Sequence, residues 1–309
     1  MTDLSNISWD AWQALLIKSY VSPDAPEITR LGLPSFPSDE VQINTTGCAG
    51  PQTLRTSFLF AKSVCNAIQA DLEQQFHKNP KRRWWLLKDS AEGFRERFFK
   101  KARLLDFGVG WGRITRSFLK EFKANRIVGL DVNPWLIDVC NSTFKQVGKF
   151  SRCDQLPPSL IGSASIDLVV SYSVFSHLSE KAFNAWLNEF ERIVRPGGYV
   201  AITTRDRNFL DHCDSLKGQS VEAYPKILSE LFDSFEEQRQ AYDAVKFVIS
   251  SRGYPANSEL DNALYGEAWI SPKYLENTIK GKFELVKHCT FEPEWVEPNM
   301  QPIYLLRRI

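Results

Sequence analysis

The ten residues from Leu104 to Arg113, Leu-Leu-Asp-Phe-Gly-Val-Gly-Trp-Gly-Arg, carry the clearest chemistry in the chain. An apolar run ends in an acid and passes into three alternating glycines, Gly108, Gly110 and Gly112. Glycine lets the backbone turn through positive φ and lets a ligand lie against the main chain. In an α/β sheet such a ligand sits at the carboxyl end of the strand. The dinucleotide pattern G-x-G-x-x-G fails, because position 113 is arginine. Asp106 differs in chemistry as well, since a carboxylate there suits a cationic amine and not a pyrophosphate. Asp131, 25 residues further on, closes a second apolar run, Ile127-Val-Gly-Leu-Asp, and can accept two hydrogen bonds from ribose hydroxyls. Together the two acids describe a positively charged ligand that carries adenosine.

A candidate base follows in Ser171-Tyr-Ser-Val-Phe-Ser-His-Leu-Ser179. Imidazole, with an ordinary pKa of about 6.5, can take a proton from an attacking hydroxyl, so His177 is a catalytic candidate. The same ring could instead pack under the site and bond a loop. Asp154 stands before Gln155-Leu-Pro-Pro158, where it is either a ligand group or the start of an Asx turn. The six cysteines are far apart, without a C-x-x-C pair or a histidine at zinc-ligand spacing, so free thiols and no metal are expected.

These residues need a scaffold of alternating strands and helices. From about Arg103 to Thr204, short apolar runs alternate with amphipathic patterns, which predicts βαβ units around a parallel sheet. The predicted strands are Arg103 to Phe107, Arg126 to Leu130, Lys149 to Arg152, Ile166 to Ser171 and Tyr199 to Thr204. Helices are predicted over Ile114 to Phe122, Pro134 to Phe144 and Glu180 to Val194. A late helix, Pro272 to Ile279, and two strands, Phe283 to His288 and Ile303 to Arg307, would close the sheet with an antiparallel edge. Before this core, Leu54, Phe58, Ala61, Cys65, Ile68 and Leu72 recur at steps of three and four, which predicts a long amphipathic helix over Gln52 to Phe76. The division expected is a helical N-terminal cap over 1–100, a Rossmann-like core over 101–205, an insertion over 206–270 and a completing helix and strand pair over 271–309.

In this order of landmarks the chain resembles the class I S-adenosylmethionine-dependent methyltransferases. Their first strand ends in an acid and G-x-G-x-G, and their second in an acid. Cys153-Asp154 resembles the adenine-contacting acid after strand three, Ser171-Tyr172-Ser173 the substrate-facing turn after strand four, and Arg195-Pro-Gly-Gly-Tyr199 the turn before strand five. The resemblance is strong over about Arg103 to Thr204 and weaker over the last forty residues. It implies an α/β fold with a mostly parallel seven-stranded sheet, helices on both faces and an antiparallel last strand. It implies S-adenosylmethionine as cofactor, held by Asp106, Gly108, Gly110, Gly112, Arg113, Asp131, Val132, Asp154, Gln155 and Ser171. Asn44 and Arg55 are further candidates for the methionyl carboxylate. The loop, the Ser-Val-Phe-Ser-His-Leu turn and Tyr265-Gly266 resemble methyltransferases of polysaccharide and natural-product pathways, which implies a small-molecule hydroxyl as acceptor. Asp206, His212, Tyr254, Tyr265 and Glu267 would line its site.

Composition bounds the alternatives. The 309 residues hold 38 Lys plus Arg against 37 Asp plus Glu, a net charge of +1, so no global field draws in nucleic acid or an anionic membrane. Only Lys78 to Arg103 is locally basic, with ten basic and three acidic residues among aromatics. It keeps a nucleic-acid methyltransferase open, although a helix with solvated Lys and Arg explains it more simply. The turn Ser171-Tyr172-Ser173-Val174 lacks the D/N-P-P-Y/F expected for base-amine methylation. A cofactor-binding partner protein without turnover is the other alternative. No apolar stretch is long enough to span a membrane and no basic-then-apolar leader opens the chain, so a cytoplasmic protein is expected.

Overall fold

The computed structural model describes residues 4, 6–78, 98–145, 147–220, 224–252, 260–289 and 301–309. Among them the strands are β1 Leu104–Phe107, β2 Ile127–Asp131, β3 Lys149–Arg152, β4 Ile166–Ser171, β5 Val194–Thr203, β6 Val248–Ser250, β7 Glu267–Trp269, β8 Phe283–Cys289 and β9 Ile303–Arg308. Seven form one sheet in the order β3-β2-β1-β4-β5-β9-β8, and β6 and β7 pair separately. β1, β2, β3 and β4 run parallel, whereas β9 is antiparallel to both β5 and β8. The last strand is therefore the antiparallel one, and it lies one place inside the edge that β8 occupies. Burial pattern explains the exchange. Ile303 to Leu306 are apolar and buried without a break, which requires neighbours on both sides, while β8 mixes buried Phe283 with exposed Glu284 and Lys287 and tolerates an edge. Pairing of β5 with β9 begins at Tyr199, and the expected turn Arg195 to Gly198 forms the lead-in of β5, with Gly197 in the left-handed region at φ 76°.

The chain divides into two compact units. Unit one is Met1–Cys153 with Ser165–Val170. Its helices are α1 Trp9–Val21, α2 Pro26–Leu31, α3 Asp39–Thr46, α4 Pro51–Lys78, α5 Arg113–Phe118 and α6 Pro134–Phe144. The six apolar residues whose spacing predicted α4 are all buried. Its small polar face meets α5, where Ser57 Oγ lies 3.1 Å from Ser117 Oγ. Trp12 donates its indole N–H to the Ser117 carbonyl at 3.0 Å, which fixes α1 to the same helix. α5 is shorter than expected because the Leu119 N–H bonds Arg116 O, three residues back, and tightens the last turn. Val109, Ile137, Cys140, Phe144 and Phe150 form an apolar cluster beneath the glycine turn.

Unit two is Asp154–Ala164 with Ser171–Ile309. It contains α7 Glu180–Ile193, α8 Arg207–Ser215, α9 Tyr224–Ser229, α10 Phe235–Asp243 and α11 Pro272–Ile279. α8, α9 and α10 bury Phe209, Leu210, Cys213, Leu228, Phe235 and Tyr242 against Val248 of β6 and Trp269 of β7. The segment after β5 thus brings an apolar core of its own. Most of the basic stretch and Tyr254 lie outside the described residues. No helix among the described residues is long and apolar enough to cross a membrane.

Candidate functional site

In unit one the site grows from the carboxyl ends of β1 and β2. All four residues of β1 are buried, and the strand carries Asp106 into the interior as its third residue. Asp106 Oδ2 accepts the Thr115 hydroxyl at 2.6 Å, while Oδ1 is buried with no hydrogen-bond partner among the described residues. Burial raises this carboxyl to about 7; the bonds from Thr115 oppose the rise, nearby Asp131 adds to it, and Arg113 lowers it. A desolvated carboxylate oxygen left open in this way suits a cationic ligand.

The turn after β1 is fastened to β2. Gly108 and Val109 donate their N–H groups to Leu130 O at 2.8 and 3.0 Å, and Gly110 donates to Asp131 Oδ2 at 2.8 Å. Gly112, at φ 82°, has no room for a side chain: a Cβ there would stand 2.2 Å from Phe144 Cε2. Asp131 Oδ1 accepts from the Asn133 N–H at 2.9 Å. Helix α6 is capped by Asn133 itself, whose side chain accepts from Trp135 N at 2.9 Å, so Asp131 is not consumed as its cap. Each Asp131 oxygen takes one backbone N–H and keeps a lone pair for a ribose hydroxyl. Burial raises its carboxyl, opposed by the backbone bonds from Asn133, Gly110 and Val132. Val132 is half-buried beside it.

Other expected residues are placed differently. Arg113 donates to Thr56 Oγ1 at 2.7 Å and so reaches α4. Asn44 and Arg55 are exposed. In unit two, Asp154 is exposed, while Gln155 accepts the Trp186 indole N–H on its carbonyl and the Asp261 N–H on Oε1, each at 2.9 Å. Ser171 ends β4 fully buried, its hydroxyl without a hydrogen-bond partner among the described residues.

His177 in unit two is held from two sides. It exchanges backbone and side-chain bonds with Gly266: Gly266 N–H donates to His177 O at 2.8 Å, and His177 Nδ1 lies 3.0 Å from Gly266 O. Only glycine permits this approach, since a Cβ on residue 266 would stand 2.5 Å from the Ser250 carbonyl oxygen. A carbonyl can only accept, so Nδ1 carries the proton and Nε2 of the neutral ring is the bare acceptor. Tyr265 stacks on the ring at 5.2 Å between centroids. Glu267, fully buried, places Oε1 3.4 Å from His177 Nδ1, accepts the Tyr224 hydroxyl at 2.5 Å, and lies 3.7 Å from Arg205 Nε. Arg205 is buried over the Phe209 ring, 3.8 Å from its centroid. Burial depresses the His177 pKa; Glu267 opposes this, Arg205 reinforces it, and the Gly266 bond opposes it. Burial also raises Tyr224, with Glu267 adding to the effect.

Arg205 and Tyr224 are the members of this cluster that sequence reading missed. Arg205 stood at a predicted strand end and Tyr224 in a stretch without periodicity, and only chain reversal brings both to Glu267. A second unforeseen group joins Ser173, Thr203 and Gln301. Thr203 Oγ1 accepts from Ser173 N at 2.8 Å and donates to Gln301 Oε1 at 2.7 Å, and Gln301 Nε2 donates to Ser173 Oγ at 2.8 Å.

The sheet order, the glycine turn and the two acids at the ends of β1 and β2 coincide with a family match: residues 104–198 fit the model described as methyltransferase domain. Residues 104–198 thus carry a methyltransferase domain. For such a domain the resemblance drawn from the sequence implies S-adenosylmethionine as cofactor. The chain is similar to an uncharacterized methyltransferase of Emericella nidulans, 29% identical over 119 residues, which is 33% of this chain and 41% of that protein. It is also similar to the malonyl-[acyl-carrier protein] O-methyltransferase of Hahella chejuensis, 27% identical over 101 residues, 33% of this chain and 36% of that one. The match thus spans less than half the length of these relatives. Among solved structures, an S-adenosylmethionine-dependent methyltransferase from Mesorhizobium loti superposes with a TM-score of 0.47 at 15% identity, covering 72% of this chain and all of that one. The residues present suit the cofactor. Asp106 Oδ1 is an open, buried acceptor for its ammonium group, and Asp131 retains acceptor capacity for its ribose.

Proposed function

We propose that the protein transfers a methyl group to a hydroxyl of a small-molecule acceptor, with His177 as general base. The observation that carries this reading is the tautomer of His177. Its proton is committed to Gly266 O on Nδ1, Nε2 is left as an acceptor, and burial keeps the ring neutral near pH 7. The cofactor supplies a methyl group already activated on a sulfonium. Within unit one, Asp106 and Asp131 would hold it by its cationic and ribose ends, together with Gly108, Gly110, Gly112 and Val132, with Arg113 tied to α4 through Thr56. When bound, the cofactor would supply that methyl group to the acceptor oxygen, and His177 Nε2 would take the proton that the hydroxyl gives up. Glu267, 3.4 Å from Nδ1, then faces an imidazolium, whose charge it stabilises.

We assign acceptor recognition to the insertion over 206–270, which supplies Tyr224, Tyr265 and Glu267 to the His177 cluster. The N-terminal cap over 1–100 and the completing segment over 271–309 are assigned to supporting the core. Six free thiols, three of them buried, support work in a reducing compartment such as the cytoplasm. The test is a screen of hydroxylated small molecules for cofactor-dependent methylation, repeated with His177→Ala. Product from the native chain that falls by about two to four orders of magnitude in the variant, with unchanged S-adenosylhomocysteine affinity, supports the base. Full turnover in the variant assigns His177 a packing role, and binding without turnover on any acceptor supports a non-catalytic partner.

A further inference from the structure

Arg116 is fully buried in α5, yet among the described residues its guanidinium bonds only to carbonyl oxygens. One nitrogen, Nη1, donates to Trp111 O and Gly112 O, each at 3.0 Å, and Nη2 donates to Ser35 O at 2.5 Å. Three aromatic rings surround the cation: Phe144, Phe36 and Trp111, at 4.2, 4.8 and 5.1 Å from the guanidinium carbon to the ring centroids. Burial lowers the guanidinium to about 9, so it remains a cation at neutral pH. A charge held this deep, with no carboxylate bonded to it among the described residues, needs a reason beyond filling space, because an apolar side chain would fill the same room without desolvation.

Its contacts supply one. Trp111 and Gly112 belong to the glycine turn that meets the cofactor, and Ser35 and Phe36 belong to the N-terminal region. The turn is gripped by its carbonyls on this side, since the Cys140 thiol also donates to Gly110 O at 3.1 Å. In a trans peptide the C=O and N–H point in opposite directions. Holding the carbonyls of Gly110, Trp111 and Gly112 therefore turns the N–H groups of Trp111, Gly112 and Arg113 the other way. Gly112 N–H closes the turn on Val109 O at 2.9 Å. The side chain of Arg116 thus fixes the peptide orientation of the turn, and the same cation seats residues 35 and 36 behind it.

We propose that Arg116 is a positioning residue for the cofactor turn, and that through it seating of the N-terminal region and binding of the cofactor favour each other. The inference rests on the cofactor assignment but not on the acceptor or on His177. Coupling between two equilibria is reciprocal. If seating residues 35 and 36 raises cofactor affinity by some factor, bound cofactor must raise seating by the same factor.

The test uses the full chain, S-adenosylhomocysteine as probe, and trypsin, which can reach exposed Lys18 and Arg30. In the native chain, saturating S-adenosylhomocysteine is expected to slow cleavage at these sites several-fold. Arg116→Met keeps the apolar stem, removes the charge and is expected to bind the probe at least tenfold more weakly, with protection lost. Arg116→Lys should recover part of both. Phe36→Ala, which leaves the turn's own bonds intact, should lose protection and, by the same reciprocity, the same several-fold of affinity, a smaller loss than in Arg116→Met, and it serves where Arg116→Met does not fold. Native affinity in a folded Arg116→Met, or cleavage of the native chain indifferent to the probe, overturns the proposal alone. Failure of the native chain to bind the probe overturns the cofactor assignment and the proposal with it.

Discussion

Asp106→Asn is expected to make the protein more stable and worse at binding its cofactor, and both effects can be sized. Asp106 titrates at about 7 in the folded protein, chiefly because it is buried, against about 3.9 in an unfolded chain. The folded pKa is the higher one, so the side chain's contribution is fully present below the unfolded value and is lost as pH rises through the folded value. Three pKa units at 1.36 kcal/mol each make the ionised carboxylate about 4 kcal/mol destabilising at pH 8 and about 1 kcal/mol at pH 4.5. Asparagine keeps an oxygen for the Thr115 hydroxyl, which bonds Asp106 Oδ2 at 2.6 Å, and removes the charge. Urea denaturation should therefore show Asp106→Asn more stable than the native chain by about 2–4 kcal/mol at pH 8, with most of the gain absent at pH 4.5. Calorimetric titration of the same variant with S-adenosylhomocysteine should show a loss of about 1.5–3 kcal/mol, a charged hydrogen bond's worth. In the native chain the probe's affinity should fall as pH drops below 7, since its ammonium requires the ionised acid. A variant no more stable than the native chain at pH 8, or native affinity flat between pH 5.5 and 8.5, would refute the argument that Asp106 is a desolvated carboxylate kept for a cation.

Other expectations follow from the same geometry. Asp131→Ala removes the acceptor of two backbone N–H groups as well as the ribose contact, and should weaken S-adenosylhomocysteine binding by about 1–3 kcal/mol, read by titration; unchanged affinity in a folded variant removes the ribose role. Gly112→Ala forces a Cβ to 2.2 Å from Phe144 at φ 82°, so a marked fall in melting temperature is expected, with cofactor binding impaired in whatever folds. Methyl transfer to a hydroxyl should keep its rate down to a pH below the ordinary histidine value and then decline as Nε2 is protonated, because burial depresses the His177 pKa. In Glu267→Gln that acid limb should move to lower pH, since a neighbouring negative charge that favours imidazolium is gone; a profile that does not move separates Glu267 from the base.

The local chemistry of the cofactor half was legible in the amino-acid order. An acid, three glycines at alternate positions and a second acid closing the next apolar run lie within one strand–turn–helix and its neighbour, so short-range rules of backbone conformation suffice to read them. The strands Lys149–Arg152 and Ile166–Ser171 and the helices Pro134–Phe144 and Pro272–Ile279 fell where periodicity and capping placed them, because each ends at a local signal such as Asn133 or Ser271. Sheet order was not written locally. Whether β9 or β8 takes the edge depends on which is buried on both sides, a property of neighbours distant in the chain.

The surroundings of each reactive group came only with the fold. Asp106 and Asp131 are both acids by sequence, yet burial leaves one with an open oxygen and a pKa of about 7 and the other bridging Gly110 and Asn133. His177 was a candidate by its place after a strand, but its tautomer is set by a carbonyl 89 residues away. Its charge state answers to Glu267 and Arg205, brought near by β7 and by the end of β5. Arg116 gave no signal at all, since an arginine on a short helix reads as surface until aromatic rings from Phe36, Trp111 and Phe144 close around it. Residue type and near-neighbour spacing determine which chemistry is available. Desolvation and long-range contact, which exist only in the folded chain, decide which groups are charged, which are held and which are left open for a ligand.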